Sequence, residues 1–255
     1  MSELLEVNHV SYAYHSIDGE TETLADISFH IKEGEFAAIV GPSGCGKSTL
    51  LSLICGLLKP EKGEILLDGK SIAGEKERIG YMLQKDYLFE WRSIYSNVML
   101  GLEIQKKKSE KYTKRVDQML KDYGLWDFRN VRPSQLSGGM RQRAALIRTL
   151  ALQPELLLLD EPFSALDYQT RLSVCEDIYR IIKKEQKTAV LVTHDLSEAI
   201  SMADRVIILS PRPAIIRKIV PICFDLENRT PMASRNAPEF KSYFNLIWKE
   251  LNHDV

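Results

Sequence analysis

Apolar and polar positions fall into three patterns along this chain, and each predicts a different kind of element. Nearly continuous apolar runs occupy Phe36–Val40, Leu156–Leu159, Thr188–Thr193 and Val206–Leu209. Short runs of this kind, bounded by polar or glycine-containing stretches, predict strands buried on both faces. Looser alternation over residues 4–14, ending Val10-Ser11-Tyr12-Ala13-Tyr14, and over Leu24–Ile31 predicts half-buried strands. Residues 15–23 between them are polar and read as a loop, and Lys32-Glu33-Gly34 reads as a turn. Glu64–Gly69 reads as a strand entering a turn, and Arg78–Gln84 as a short strand ending at a glutamine.

Helical spacing fills most of the rest. One helix is expected to run to about Leu58, stopped by Lys59-Pro60-Glu61-Lys62-Gly63. From about 90 to 152 the character is helical throughout. Gln105–Tyr123 carries periodic Val116, Leu120 and Tyr123, with Lys106-Lys107-Lys108 read as a solvated helix face. Met140–Leu152, residues 169–186 and residues 196–203 complete the helical stretches. Strands alternating with helices predict a parallel sheet covered on both sides, hence an α/β fold. The chain divides into a core of about 1–89 and 153–215, a helical insert of about 90–152, and a C-terminal extension of 216–255, all within one domain. In that extension Phe240, Tyr243, Phe244, Ile247, Trp248 and Leu251 form one stripe, with Pro238 suited to the first turn. Core packing is its expected role.

Composition changes little in this picture. The 255 residues are 44% apolar and 27% charged, an ordinary globular balance, and the net charge of −1 gives no electrostatic reason to expect nucleic acid. The four cysteines form no CxxC pair and no metal-ligand spacing, so reduced thiols are expected. The first residues, Met1-Ser2-Glu3-Leu4-Leu5-Glu6, lack the basic and apolar regions of a signal peptide. No apolar run approaches the roughly 18 residues that cross a bilayer. Any work at a membrane would need another protein to hold this one there.

Chemistry gathers where the apolar strands end. Gly41-Pro42-Ser43-Gly44-Cys45-Gly46-Lys47-Ser48-Thr49 lies between the Phe36–Val40 strand and a helix. Glycines let backbone N–H groups curl around an anion, and the helix that follows points its positive end at it. Lys47 would reach the β/γ-phosphates of a nucleotide, and the Ser48 hydroxyl would ligate Mg²⁺. After Leu156–Leu159 come Asp160 and Glu161, the first suited to a metal and the second to activating water. The plain alternative is that one of them caps the next helix. His194, ending another core strand, is a candidate γ-phosphate contact, and Gln84 sits at a strand end on weaker physical grounds. Ser137-Gly138-Gly139 repeats the phosphate-loop physics in miniature at a second helix start. Two anion sites and one nucleotide suggest that the second completes a partner's site; a simple capped helix is the alternative.

Leu136-Ser137-Gly138-Gly139-Met140-Arg141-Gln142-Arg143, Asp160-Glu161-Pro162 and Ser164-Ala165-Leu166-Asp167 together resemble the ATP-binding subunit of an ABC transporter over about residues 4–215. The resemblance implies a P-loop (RecA-like) core with an antiparallel β subdomain and a helical insert. Residues 41–49 then correspond to the Walker A loop, Gln84 to the Q-loop and a metal contact, 136–140 to the signature, and 164–167 to the D-loop. Asp160 corresponds to Walker B, Glu161 to the catalytic base and His194 to the switch histidine. Tyr14 corresponds to the aromatic that stacks on adenine, with Tyr12, on the same strand face, as the alternative. Met140 stands where many members have Gln. The family implies ATP and Mg²⁺ as cofactors and a head-to-tail dimer, or a pair with another cassette. It also implies integral-membrane permease subunits near the Q-loop, an extracytoplasmic substrate-binding protein, and a peripheral place on the cytoplasmic membrane face. Phe89-Glu90-Trp91-Arg92-Ser93-Ile94 resembles nitrate/sulfonate/taurine-type importers, which usually read Pro-Trp-Arg, so Glu90 departs. The plain alternative is that Trp91 packs under the helical insert. Another small-molecule importer, or a soluble cassette acting on nucleic acid or ribosomes, would be the competing readings.

Overall fold

The computed structural model describes residues 2–17 and 19–252. In chain order the strands are β1 (Glu3–Ser16), β2 (Gly19–Lys32), β3 (Phe36–Val40), β4 (Lys62–Leu67), β5 (Lys70–Ser71), β6 (Ile79–Met82), β7 (Leu156–Asp160), β8 (Thr188–Val192), β9 (Arg205–Leu209) and β10 (Ile216–Pro221). The helices are α1 (Lys47–Ile54), α2 (Ile94–Ile104), α3 (Glu110–Asp122), α4 (Gly138–Leu150), α5 (Tyr168–Lys184), α6 (Leu196–Met202), α7 (Pro231–Asn236) and α8 (Phe240–Leu251). β2-β1-β4-β5 form an antiparallel sheet. β10-β9-β3-β8-β7-β6 form a second sheet, parallel except for its edge strand β10.

The apolar runs end in the middle of the second sheet because their side chains alternate between two cores. Ala37, Ile39, Leu156, Leu158, Val190, Val192 and Ile207 face the antiparallel sheet and α1, where Leu5, Val7, Leu24, Leu50 and Leu51 meet them. Phe36, Ala38, Leu157, Leu159, Ala189, Leu191 and Val206 face the other way, onto Ala144, Ile147, Ile178, Ile182 and Ala199 of α4, α5 and α6. Every residue of β3, β7 and β8 is buried. The expected parallel sheet, antiparallel β subdomain and helical insert are all present.

Local differences have local causes. The expected loop at 15–23 is largely strand, since β1 and β2 stay paired out to Ser16 opposite Gly19. Both faces of that hairpin end are exposed, so no apolar period marks it. Asp18, within that span, and Met1 lie outside the described residues, as do 253–255. Lys106–Lys108 do not form a helix face. Lys106 takes a left-handed φ of 55°, and the Lys107 N–H donates to the Leu102 carbonyl at 2.9 Å, which closes α2 before α3 begins. α1 likewise ends at Ile54 rather than Leu58, with Gly56 at φ 70°. In the extension, the edge strand β10 and the short α7 were not visible in the sequence. The α8 stripe does pack on the core through buried Ile247 and partly buried Phe240, Tyr243, Phe244 and Leu251, while Trp248 stays half exposed. Pro238 precedes that helix by a turn residue rather than entering it.

Candidate nucleotide-binding and hydrolysis site

β3, β8 and β7 lie side by side, so their carboxyl ends deliver three loops to one place. Backbone bonds lock those ends together. The Glu161 N–H donates to the Val192 carbonyl at 2.9 Å and the Thr193 N–H to Ile39 at 3.3 Å. The result is a cleft of about 570 Å³ lined by Ser43, Gly44, Lys47, Thr49, Glu161 and His194, among others.

In the phosphate loop, Gly46 holds φ 117°, ψ 13° immediately before α1. A Cβ there would stand 2.9 Å from both Leu24 Cδ2 and Thr23 Cγ2, so the turn needs glycine twice over. Cys45 fills the space beneath the loop, and burial pushes its thiol pKa up despite Lys47 nearby. Lys47 Nζ donates to the carbonyls of Gly41 and Pro42 at 2.8 and 2.9 Å. An ammonium has three N–H groups, so one is left for an anion. The Tyr14 hydroxyl lies 3.1 Å from Thr49 Oγ1 and the ring is 44% exposed, whereas Tyr12 packs edge-on behind it and against the core.

Asp160 is buried, and its two oxygens are taken by different elements. Ser48 Oγ donates to Oδ1 at 3.2 Å, and the Tyr81 hydroxyl, on β6, donates to Oδ2 at 3.0 Å. Burial raises the Asp160 pKa, and those hydrogen bonds pull against it. A carboxylate and a hydroxyl in contact, partly withdrawn from water, are the oxygen donor set that a hard divalent cation prefers. Glu161 turns the other way. Its backbone has φ 44°, a left-handed conformation costing about 1–2 kcal/mol for a residue with a Cβ. Its carboxylate meets Gln84 Nε2 at 3.3 Å and His194 Nδ1 at 3.1 Å, both at Oε2. Gln84 is therefore placed on Glu161. Neither acid caps α5; Asp167 does so, accepting from the Thr170 N–H at 3.1 Å.

Ser137 does cap α4, accepting from the Met140 N–H at 3.3 Å. It opens on a second cleft of about 300 Å³, shared with Gly139, Arg143 and the first turns of α5. α4 and α5 approach closely there: a Cβ at Gly139 would be 2.8 Å from Val174 Cγ2. This second cleft and the phosphate cleft share no lining residue.

Trp91 does not pack under the insert. It is 73% exposed, its ring 4.6 Å from that of Phe89, on a segment held from inside by Asn97. The Asn97 side chain is wholly buried, accepts from the Phe89 N–H and donates towards the carbonyls of Phe89, Arg92 and Ser93. Glu90 and Asp86 both pair with Arg141 at 2.9 Å, which ties this segment to the start of α4. Sequence reasoning passed over Tyr81, Arg212 and Glu198. Arg212 borders the phosphate cleft from the turn after β9, and Glu198 is buried on α6, accepting from Oγ1 of Thr193, the residue before His194, at 2.5 Å.

The family model for ABC transporters matches residues 24–164. The chain is 49% identical over 248 residues to the ABC transporter ATP-binding protein YtlC of Bacillus subtilis, covering 97% of this chain and 95% of that one. It is 37% identical over 251 residues to the taurine import ATP-binding protein TauB of Roseobacter denitrificans, covering 96% and 94%. Among solved structures it resembles the ATP-binding cassette MJ0796, in a dimeric post-hydrolysis state bound to ADP and Pi. That likeness has a TM-score of 0.73 at 30% identity and covers 86% of this chain and 99% of that one. With its strand-end site and its two clefts, this chain belongs to the ABC transporter family, as an ATP-binding domain.

Proposed function

We propose that this chain is the ATP-hydrolysing subunit of an importer for a small anion of the nitrate, sulfonate or taurine kind. The observation that carries the catalytic reading is the placement of Glu161. Gln84 and His194 converge on its Oε2 at the rim of the phosphate cleft, beside the Ser48–Asp160 pair. Backbone N–H groups of residues 43–49 and the free N–H of Lys47 would hold the phosphates. Ser48 and Asp160, with Gln84 nearby, would hold Mg²⁺, which when bound neutralises charge on the β/γ oxygens. Glu161 would take the proton of the attacking water, held in aim by Gln84 and His194. Tyr14 would stack on adenine.

The site as it stands in one chain is half of a larger one. Ser137, Gly138 and Gly139 would close over the nucleotide of a second cassette, a copy of this chain or a paired one, in a head-to-tail dimer. Closure and reopening would move permease subunits docked near the Phe89–Arg92 segment, with an extracytoplasmic binding protein supplying substrate. No helix among the described residues is long and apolar enough to cross a membrane. That fits attachment through such subunits, at the cytoplasmic membrane face. The small-anion class rests on the taurine-import relative and on the exposed Trp91 segment.

Glu161→Gln tests the base. It should bind ATP as the wild type does and release phosphate some 10²–10⁴-fold more slowly. A wild-type rate of phosphate release would remove Glu161 from that role.

A further inference from the structure

Arg212 lines the phosphate cleft from the turn after β9. Arg141 and Arg171 reach carboxylates, whereas Arg212 makes no ion pair among the described residues. Its Nη2 donates to the Gly44 carbonyl at 2.7 Å, the one hydrogen bond it makes among those residues. A guanidinium carries five N–H donors, so four remain unspent, and the side chain borders the same cleft as Lys47, Thr49 and His194.

Its backbone is fixed where it needs to be. β9 pairs in parallel with β3, Val40 opposite Ile208, so the chain leaves β9 alongside the start of the phosphate loop. Beyond it, the Ser210 hydroxyl accepts from the Ile215 N–H at 2.9 Å. The Ala214 N–H donates to Thr23 at 2.9 Å, and the Ala25 N–H to Ala214 at 2.9 Å, which fastens the turn to β2. Pro211 and Pro213 flank Arg212 and restrict its backbone further. The turn thus presents a cation, without an anionic partner, over a loop shaped for polyphosphate.

We propose that Arg212 is a nucleotide-binding residue, donating to phosphate oxygens while its Gly44 bond keeps it over the loop. The proposal rests on the nucleotide reading of the cleft. A guanidinium suits such oxygens because its planar fork can meet two at once.

The test is ATP affinity by isothermal titration calorimetry at two salt concentrations, for wild type and for Arg212→Ala, Arg212→Gln and Arg212→Lys, with folding checked by circular dichroism. Gln can still donate to the Gly44 carbonyl but carries no charge; Lys keeps the charge. Arg212→Ala and Arg212→Gln should each weaken ATP binding about tenfold and flatten its salt dependence, with Arg212→Lys in between. If Arg212→Gln binds as tightly as wild type while Arg212→Ala does not, the residue only braces the loop and the proposal is overturned. Unchanged affinity in all three overturns it as well. Lys47→Ala, measured alongside, separates the two levels: if it binds ATP like wild type, the reading of the cleft itself has failed.

Discussion

Single side chains in this molecule do their work through the partner each is denied or given. Glu198 shows the cost of a buried acid. Burial, opposed by the Thr193 hydrogen bond and by Arg171, pushes its pKa up from the ordinary 4.5 to about 7. The folded protein therefore holds this proton more tightly than the unfolded chain does. The associated stability is fully present below pH 4.5 and is lost as pH rises through about 7, amounting to about 3 kcal/mol over that window. Glu198→Gln should flatten the melting temperature against pH between 5 and 7.5, measured by calorimetry. An unchanged slope would locate the titration elsewhere. Glu161 illustrates the opposite economy: backbone strain is accepted at one residue so that its carboxylate faces Gln84 and His194 instead of continuing along β7. His194 and the Asp160-Glu161 pair were legible in the sequence because each directly follows an apolar run. Tyr81 and Arg212 were not, since nothing near them in the chain announces that β6 pairs with β7 or that the turn after β9 passes the phosphate loop.

Among elements, the segment from Phe89 to Ser93 is held by side chains rather than by regular structure: Asn97 from inside, Arg141 on Glu90 and Glu103 on Arg92. From a position without solvent access, Asn97 accepts from the Phe89 N–H and directs its two amide N–H groups among the carbonyls of Phe89, Arg92 and Ser93. Asn97→Ala would take the acceptor from the Phe89 N–H, while the Phe89 and Ser93 carbonyls keep the N–H groups of Arg92 and residue 97, and it should lower stability by about 1–3 kcal/mol, read from urea unfolding. Faster amide exchange should be confined to the region around Trp91, and a uniform rise across the sheet would contradict a local role. Elements whose apolar residues face one core were readable from their period: β3, β7, β8, α5 and the stripe of α8 all lie where periodicity put them. Elements that fail to show a period were misread for the same reason. The far end of the β1–β2 hairpin is exposed on both faces, and β10 is an edge strand with one wholly buried position. The three consecutive lysines looked helical by context, yet α2 closes on Lys106 and leaves Lys107 and Lys108 to pair with Glu77 and Glu103 from a loop.

At the scale of the whole molecule, the phosphate cleft and the Ser137 cleft share no lining residue. Their likeness in chemistry was visible in the sequence as two glycine-rich helix starts. That they serve separate sites was also legible there, from the excess of anion sites over nucleotides, whereas the placement of α4 and α1 on opposite cores was not. In the head-to-tail dimer proposed above, this separation leads to complementation between alleles. Lys47→Ala would spoil one cleft and Ser137→Arg the other, and each protein alone should be inactive, since every composite site would contain one defect. Mixed in equal amounts, about half the pairs join one of each, and each such pair holds one doubly defective site and one intact site. Two dead proteins should then regain up to about a quarter of the wild-type ATPase rate. A mixture that stays silent would mean that each chain works with both of its own clefts.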